Sequence, residues 1–453
     1  MAAARFLTAL AAVLLVVVAA CATAQAPAPP PALSHVDHVV VIYQENWSFD
    51  SLFGKFPGAN GIASASPTSI AQTDKEGRPY PTLPPSMDTR RRPPVPDTRI
   101  PAALPVAPFD LAPYVPPTSR AGNPIHRFYQ QQHQINGGRM DRFVAWTNVG
   151  GLVMSYYDAT SMPLGLLARE FVLADNFFQA AFGGSFLNHM WLICACTPHW
   201  PQAPDDLRAT LDARGFVVKD GEVTPDGYVV NTSFTVNTPH PARITDRHHL
   251  VPNLTLPTIG DRLDERGISW AWYAGGWSDA LAGRPHAAFA YHHQPFAYFA
   301  KWADGTPAKA RHLKDESDFL RDVASGRLPA VSFVKPLGTV NEHPGSSELL
   351  TGQQHMAELV RAVRASPLWP RTLIIITYDE NGGRWDHVAP PVVDRWGPGT
   401  RVPAVLVSPL VKRGHVDHTR YDTTAILKLI EARWGLAPLG ARDAAQVPFT
   451  GAF

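Results

Sequence analysis

The chain has 453 residues, 45% of them hydrophobic and 17% charged, with a formal net charge of +1. This balance describes a globular chain with a real core. It excludes a polar disordered chain and the broad basic surface that nucleic-acid binding requires. Three cysteines exclude a fold held mainly by disulfides.

Met1 to Ala24 reads as a secretory signal: Arg5, then an apolar run from Phe6 to Ala20 that is short for a bilayer. Cleavage is expected after Ala22-Thr23-Ala24. The alternative is a lipoprotein box ending at Cys21, which would leave a lipid anchor there. The protein is therefore expected to be secreted or periplasmic, or else an outer-membrane lipoprotein. Residues 25–34 are proline-rich and read as a stiff, exposed spacer. No later segment reads as a transmembrane helix.

The folded part opens with HVVVIYQEN, His38 to Asn46, an apolar strand that runs into a polar cluster. A proline-dense stretch at about 79–124 reads as an extended surface excursion. MPLGLLAREF reads as a helix, FVLADNFF as a strand, and FGGSFLNHMWLICA as a glycine turn followed by a helix. In that helix Cys194 and Cys196 are two residues apart. A bridge over so short a span is strained, which puts two buried thiols on at least equal footing with a disulfide. LPTIGDRLDERG reads as a helix closed by Gly267, ISWAWY and LPAVSFV as strands, and GQQHMAELVRAVR as a helix with Met356, Leu359, Val360 and Val363 on one face. TLIIITYDENGG, Thr372 to Gly383, repeats the design of the first strand. RVPAVLVSP reads as another strand and YDTTAILKLIEARWG as the last helix. Buried strands alternating with helices predict an α/β fold with a mainly parallel sheet, whose sites lie beyond the carboxyl ends of the strands.

Both polar clusters fall at those ends. Glu45, Asn46, Asp379 and Glu380 form an oxygen-rich set that suits one hard divalent cation, its identity left open. Ser185 follows Gly183-Gly184 at a helix N-terminus, where free N–H groups favour an anion. No GxSxG elbow is present, so an α/β-hydrolase triad is not expected. His126, His292, His293 and His343 lie in polar or turn contexts and can hold a phosphate oxygen or protonate a leaving group. Together these residues point to ester hydrolysis at phosphorus.

QENWSFDSLFG, FGGSFLNH, HHQPF, NEHPG and TYDENGGRWDHVAPP resemble, in order, the motifs of the bacterial phosphoesterase family. That family groups non-specific phospholipases C with secreted acid phosphatases. The resemblance implies an alkaline-phosphatase-like three-layer α/β sandwich over residues 35–445 and a phosphoserine intermediate. It implies Ser185 as nucleophile, His126, His292, His293 and His343 around the phosphate, and Glu45, Asn46, Asp379 and Glu380 around one divalent metal ion. Asp386 and His387 match without an assigned role. The FGGSFLNH form is similar to the acid phosphatase A-like branch, so a phosphomonoester substrate is expected. The alternative is a phospholipase C acting on a lipid headgroup, for which Trp47, Phe49, Leu52 and Phe53 would either form an apolar approach or belong to the core. A more remote alternative is a non-catalytic binding protein on the same scaffold. Nothing in the sequence fixes the oligomeric state.

Overall fold

A computed structural model describes residues 30–453. The expected signal segment, its two cleavage points and Cys21 lie outside the described residues. The spacer is not wholly exposed: Pro31–His35 forms a 3-10 turn that buries Leu33.

Strand β1, His38–Gln44, is the centre of the fold, and Val39 to Ile42 have no exposed surface. After it come helix α1, Phe49–Phe53, helix α2, Pro163–Glu170, strand β2, Val172–Ala174, and helix α3, Ser185–Cys194. Helix α4, Ile259–Glu265, then strands β3, Trp270–Ala274, and β4, Leu313–Asp315, lead into helix α5, Glu316–Ala324, and strand β5, Val331–Lys335. The chain closes through helix α6, Leu349–Ala365, strands β6, Thr372–Tyr378, β7, Ala404–Val407, and β8, His415–Asp417, and helix α7, Thr424–Trp434.

Among the described residues these strands make one eight-stranded sheet in the order β4-β3-β5-β1-β6-β7-β2-β8. Only β7 runs against its neighbours; the other ladders are parallel. The buried, non-alternating strands are those of a sheet covered on both faces. Tyr43 and Gln44 show the two covers, because consecutive strand residues point to opposite faces. The Tyr43 ring meets His189 of α3 at 5.0 Å, whereas the Gln44 amide reaches the Gly352 carbonyl in α6. Helices α3, α4 and α7 pack together, as do α2, α5 and α6. The α/β sandwich expected from the sequence is therefore present. Its interior is dense: Ile374, Ile375 and Ile376 are fully buried, each contributing about 1.5–3 kcal/mol.

Register sets the site. Gln44 stands opposite Tyr378, so Glu45 and Asp379 leave the sheet side by side. The Asp379 N–H still donates to the Gln44 carbonyl at 3.1 Å. Trp47, Phe49, Leu52 and Phe53 are buried, which makes them core rather than an apolar approach to the site. The disulfide is formed: Cys194 and Cys196 are bridged at the end of α3, where Ala195 adopts positive φ. Among the described residues no helix is long and apolar enough to cross a membrane.

Candidate active site

The Gly183-Gly184 turn delivers Ser185 to a specific place. Gly183 has φ +89°, and a Cβ there would lie 2.6 Å from the Phe128 nitrogen; one on Gly184 would lie 2.7 Å from the His126 carbonyl. Only glycines let the two segments touch. Ser185 thus begins α3 beside His126, and its hydroxyl faces the Asp379 carboxylate. The first-turn N–H groups of α3 have no intrahelical acceptors.

Ser185 opens into a cavity of about 400 Å³, which Glu45, His126, His292, His293 and His343 also line. The six residues come from five separate stretches of the chain, His292 and His293 being adjacent, and the fold brings them together. Burial holds all four imidazoles below their ordinary pKa, His126 at about 4, so they are neutral near pH 7.

Hydrogen bonds fix two of the tautomers. His126 Nδ1 is 2.7 Å from the Pro124 carbonyl, which only accepts, so Nδ1 carries the proton. Its Nε2 lone pair then accepts from Asn46 Nδ2 at 3.3 Å. This orients the Asn46 amide, whose Oδ1 points elsewhere, buried and without a donor. Asn46 holds this pose on a backbone with φ +79°. His343 Nδ1 accepts the Gly345 N–H at 3.0 Å, which leaves the proton on Nε2, 3.8 Å from Glu45 Oε2.

Behind the cavity, Asp379 and Glu380 have no exposed surface. Burial pushes the Asp379 carboxyl up to about 7, against the pull of Lys335. Burial and then the Asp379 charge push Glu380 well above the carboxylate range. Asp379 Oδ2 and Glu380 Oε1 are buried without a hydrogen-bond donor, as is Asn46 Oδ1. Asn381, by contrast, is fully used, accepting from Gln131 and Gly383 and donating to the Arg384 carbonyl. Gly382 and Gly383, at φ +64° and +66°, let this turn press on the Asn46 and Ile125 carbonyls. Three orphaned hard oxygens beside two carboxyls that resist ionising are a donor set that fits a divalent cation.

Glu45 is differently placed. Its Oε1 takes the Lys335 ammonium at 2.8 Å and also meets His293 Nε2. Burial opposes its charge, but His293, Lys335 and His343 together hold the carboxyl well below its ordinary value. Lys335 is fully buried at the end of β5, 3.8 Å from Asp379 and over the Tyr43 ring. The sequence reading stopped at Val334 and missed it; a lysine closing an otherwise apolar strand, FVKP, was the available signal. His189 was missed too. It stacks on His293 at 5.2 Å and donates through Nδ1 to the Ser185 carbonyl one turn back.

Asp386 and His387 do not join the cavity. With Asp50 they bring ligand atoms within 4.8 Å of one another, a spacing that a metal ion can use. Arg401 already lies there, donating to Asp386 at 2.9 Å and to Asp50 at 3.1 Å, and His387 Nδ1 pairs with Asp50 at 2.6 Å. The trio and Arg401 tie α1 to the loop after β6.

Glu342 braces the same strand ends. It has φ +74°, its carboxyl accepts from Gln44 at 3.0 Å and Tyr378 at 2.6 Å, and its carbonyl accepts from the Trp47 indole. Burial pushes its carboxyl up to about 8. A folded value above the unfolded one means stability that is full below about pH 4.5 and lost as pH rises through about 8. Glu342→Gln keeps the hydrogen-bonding shape without the charge. It should match the wild type in urea melts near pH 4.5 and exceed it by about 2–4 kcal/mol above pH 8. Parallel stability profiles for the two proteins across that range would contradict this account.

A family model described as "Phosphoesterase family" matches residues 36–437. The chain is 26% identical over 448 residues to the non-hemolytic phospholipase C of Burkholderia pseudomallei, covering 88% of this chain and 55% of that one. It is 25% identical over 453 residues to phospholipase C B of Mycobacterium tuberculosis, covering 90% and 75%. The chain thus spans about half the length of the first relative and three quarters of the second. A solved protein of the alkaline phosphatase superfamily from Vibrio parahaemolyticus aligns over 73% of each chain at 11% identity and a TM-score of 0.34. With a family model matching nearly all of the described residues, the chain belongs to the phosphoesterase family.

Proposed function

We propose that the protein hydrolyses phosphoric esters at Ser185, and that it acts as a phospholipase C-type enzyme on phosphodiesters. The observation that carries the chemistry is the Ser185 hydroxyl, held at a helix N-terminus between the Asp379 carboxylate and a cavity lined by four neutral imidazoles. Support for the diester comes from relatives that match along the whole domain and are named phospholipases C. They reverse the order expected from FGGSFLNH.

In the proposed reaction the serine oxygen attacks phosphorus in line as the bond to the alcohol breaks. The Ser185 proton passes to the Asp379 carboxylate that it faces, while the His343 Nε2–H donates a hydrogen bond to the departing oxygen, which takes its proton from water. Water then cleaves the serine ester. The α3 N-terminus faces the charge that builds on the phosphoryl oxygens. Asn46, Asp379 and Glu380, with Glu45 through its second oxygen, would hold a divalent cation, which when bound supplies Lewis-acid stabilisation of phosphoryl oxygens. Asp379→Ala should lower the metal content of the purified protein from about one ion per chain to near zero while the circular dichroism spectrum is kept. An unchanged metal content would remove Asp379 from the ligand set.

One observation favours the monoester reading. It is the FGGSFLNH form around Ser185, which is similar to the acid phosphatase A-like branch. Rates on p-nitrophenyl phosphate and on bis(p-nitrophenyl) phosphate separate the two. A higher kcat/KM on the diester supports the main reading, and the reverse makes the protein a phosphatase. We place the activity outside the cytoplasm, supported by the signal-like N-terminus and the Cys194–Cys196 bridge.

A further inference from the structure

The cavity wall carries hydrogen-bonding groups that no step of the reaction uses. Asn341 is 1% exposed; its Oδ1 accepts the His343 N–H at 3.0 Å, and its Nδ2 is buried with no acceptor. Asn123 Oδ1 is likewise buried and has no donor. Asn123 stands beside Gly345, in the turn that carries His343. Both asparagines line the cavity, as does Thr232. An orphaned donor and an orphaned acceptor each cost about 1–3 kcal/mol unless a ligand satisfies them.

What the wall lacks is equally specific. Among the described residues no phenyl, phenol or indole ring lines it, and the one carboxylate there, Glu45, is already paired with Lys335 and His293. Arg127 also lines the wall, with its guanidinium already paired to Asp220 at 2.5 Å. A quaternary ammonium is held by aromatic faces or by free carboxylates, and it donates no hydrogen bond. Here it would find no free carboxylate and leave both amides unpaired. A neutral alcohol with several hydroxyls both donates and accepts, which is what Asn123 and Asn341 require together.

We propose that this cavity selects a phosphoryl group bearing a neutral polyhydroxyl alcohol, of the glycerol or cyclitol class, over choline or ethanolamine. The proposal rests on the phosphoester reading of Ser185 and adds the substituent that the phosphorus carries. The same chemistry is offered by a lipid headgroup and by a free phosphomonoester, and the test separates them.

Binding is measured by calorimetry on the Ser185→Ala protein with myo-inositol 1-phosphate and with phosphocholine. Turnover is measured on the wild type with vesicles containing phosphatidylinositol or phosphatidylcholine, and with the two monoesters. The expected result is at least tenfold tighter binding of the inositol ester and the same order in kcat/KM. Activity on vesicles alone names a lipid source, and activity on monoesters alone a free one. Asn123→Leu in the Ser185→Ala background should shrink the binding ratio below about threefold, and Asn123→Asp should raise affinity for phosphocholine. Phosphocholine bound as tightly as the inositol ester, binding of neither, or a ratio untouched by both Asn123 substitutions overturns the proposal. A tenfold binding preference with no turnover of any ester would instead keep the subsite and remove the hydrolase reading.

Discussion

Ser185→Ala should lower turnover by about 10⁴-fold or more while leaving the thermal unfolding profile close to that of the wild type. The size follows from what the side chain alone supplies. Every other element of the site stays in place: the helix N-terminus, the four imidazoles and the carboxyl pair behind them. Without the hydroxyl, however, phosphorus has only water to react with, and water is not held at the position that Gly183 and Gly184 fix for the serine oxygen. The fold should survive because the hydroxyl supports no structural hydrogen bond beyond its contact with Asp379. Acid-quenched wild type during turnover should carry phosphate on the peptide that contains Ser185, and the variant should not. A variant within tenfold of the wild-type rate would take Ser185 out of the mechanism.

Lys335→Met should cost about 3–5 kcal/mol of stability, measured by urea denaturation in the presence of a chelator. Methionine matches the length of the lysine stem and keeps its packing over Tyr43. What is lost is the ammonium 2.8 Å from Glu45 Oε1, on a lysine that has no exposed surface. The buried carboxylate then keeps only neutral imidazole partners, and Asp379 loses the one contact that lowers its carboxyl most. Adding Glu45→Gln to the same chain should recover most of the loss, since the pair would then be uncharged throughout. A single variant within about 1 kcal/mol of the wild type, or a double variant no better than the single, would show that Lys335 does not balance Glu45.

Long apolar runs and clean helical periods made most of the fold legible. β1 and β6 could be read because nothing polar interrupts them, and α6 because Met356, Leu359, Val360 and Val363 fall on one face. The short edge strands β4 and β8 could not, since LKD and HVD carry no pattern of their own and are strands only through their partners. Nor does a sequence show that β7 is reversed. In the site, Glu45, Asn46, Asp379 and Glu380 stood out because polar residues after a buried strand need a reason to be there. Asp386 and His387 stood out equally, yet they serve Arg401. A carboxylate held by a guanidinium and one left open look the same in one dimension. Lys335 was hidden by the opposite effect: a single lysine closing an apolar strand reads as the point where the chain returns to solvent, although the fold buries it completely. The proline-dense excursion was legible as irregular, but not the fact that its last residues, from Asn123 on, form a cavity wall.

The strand order has a consequence for how the chain is made. β1 is the first strand to leave the ribosome and the central one of the sheet, yet both its partners come late. His38 meets the carbonyl of Pro329, 291 positions further on, and its other neighbour begins only at Thr372. Until then an apolar central strand has nowhere to dock, and no early fragment closes the sheet around it. The central sheet of such a chain cannot close until most of it has been made. That is a hazard for a protein that folds where it is made, and the condition needed by one that must be threaded through a membrane before it folds.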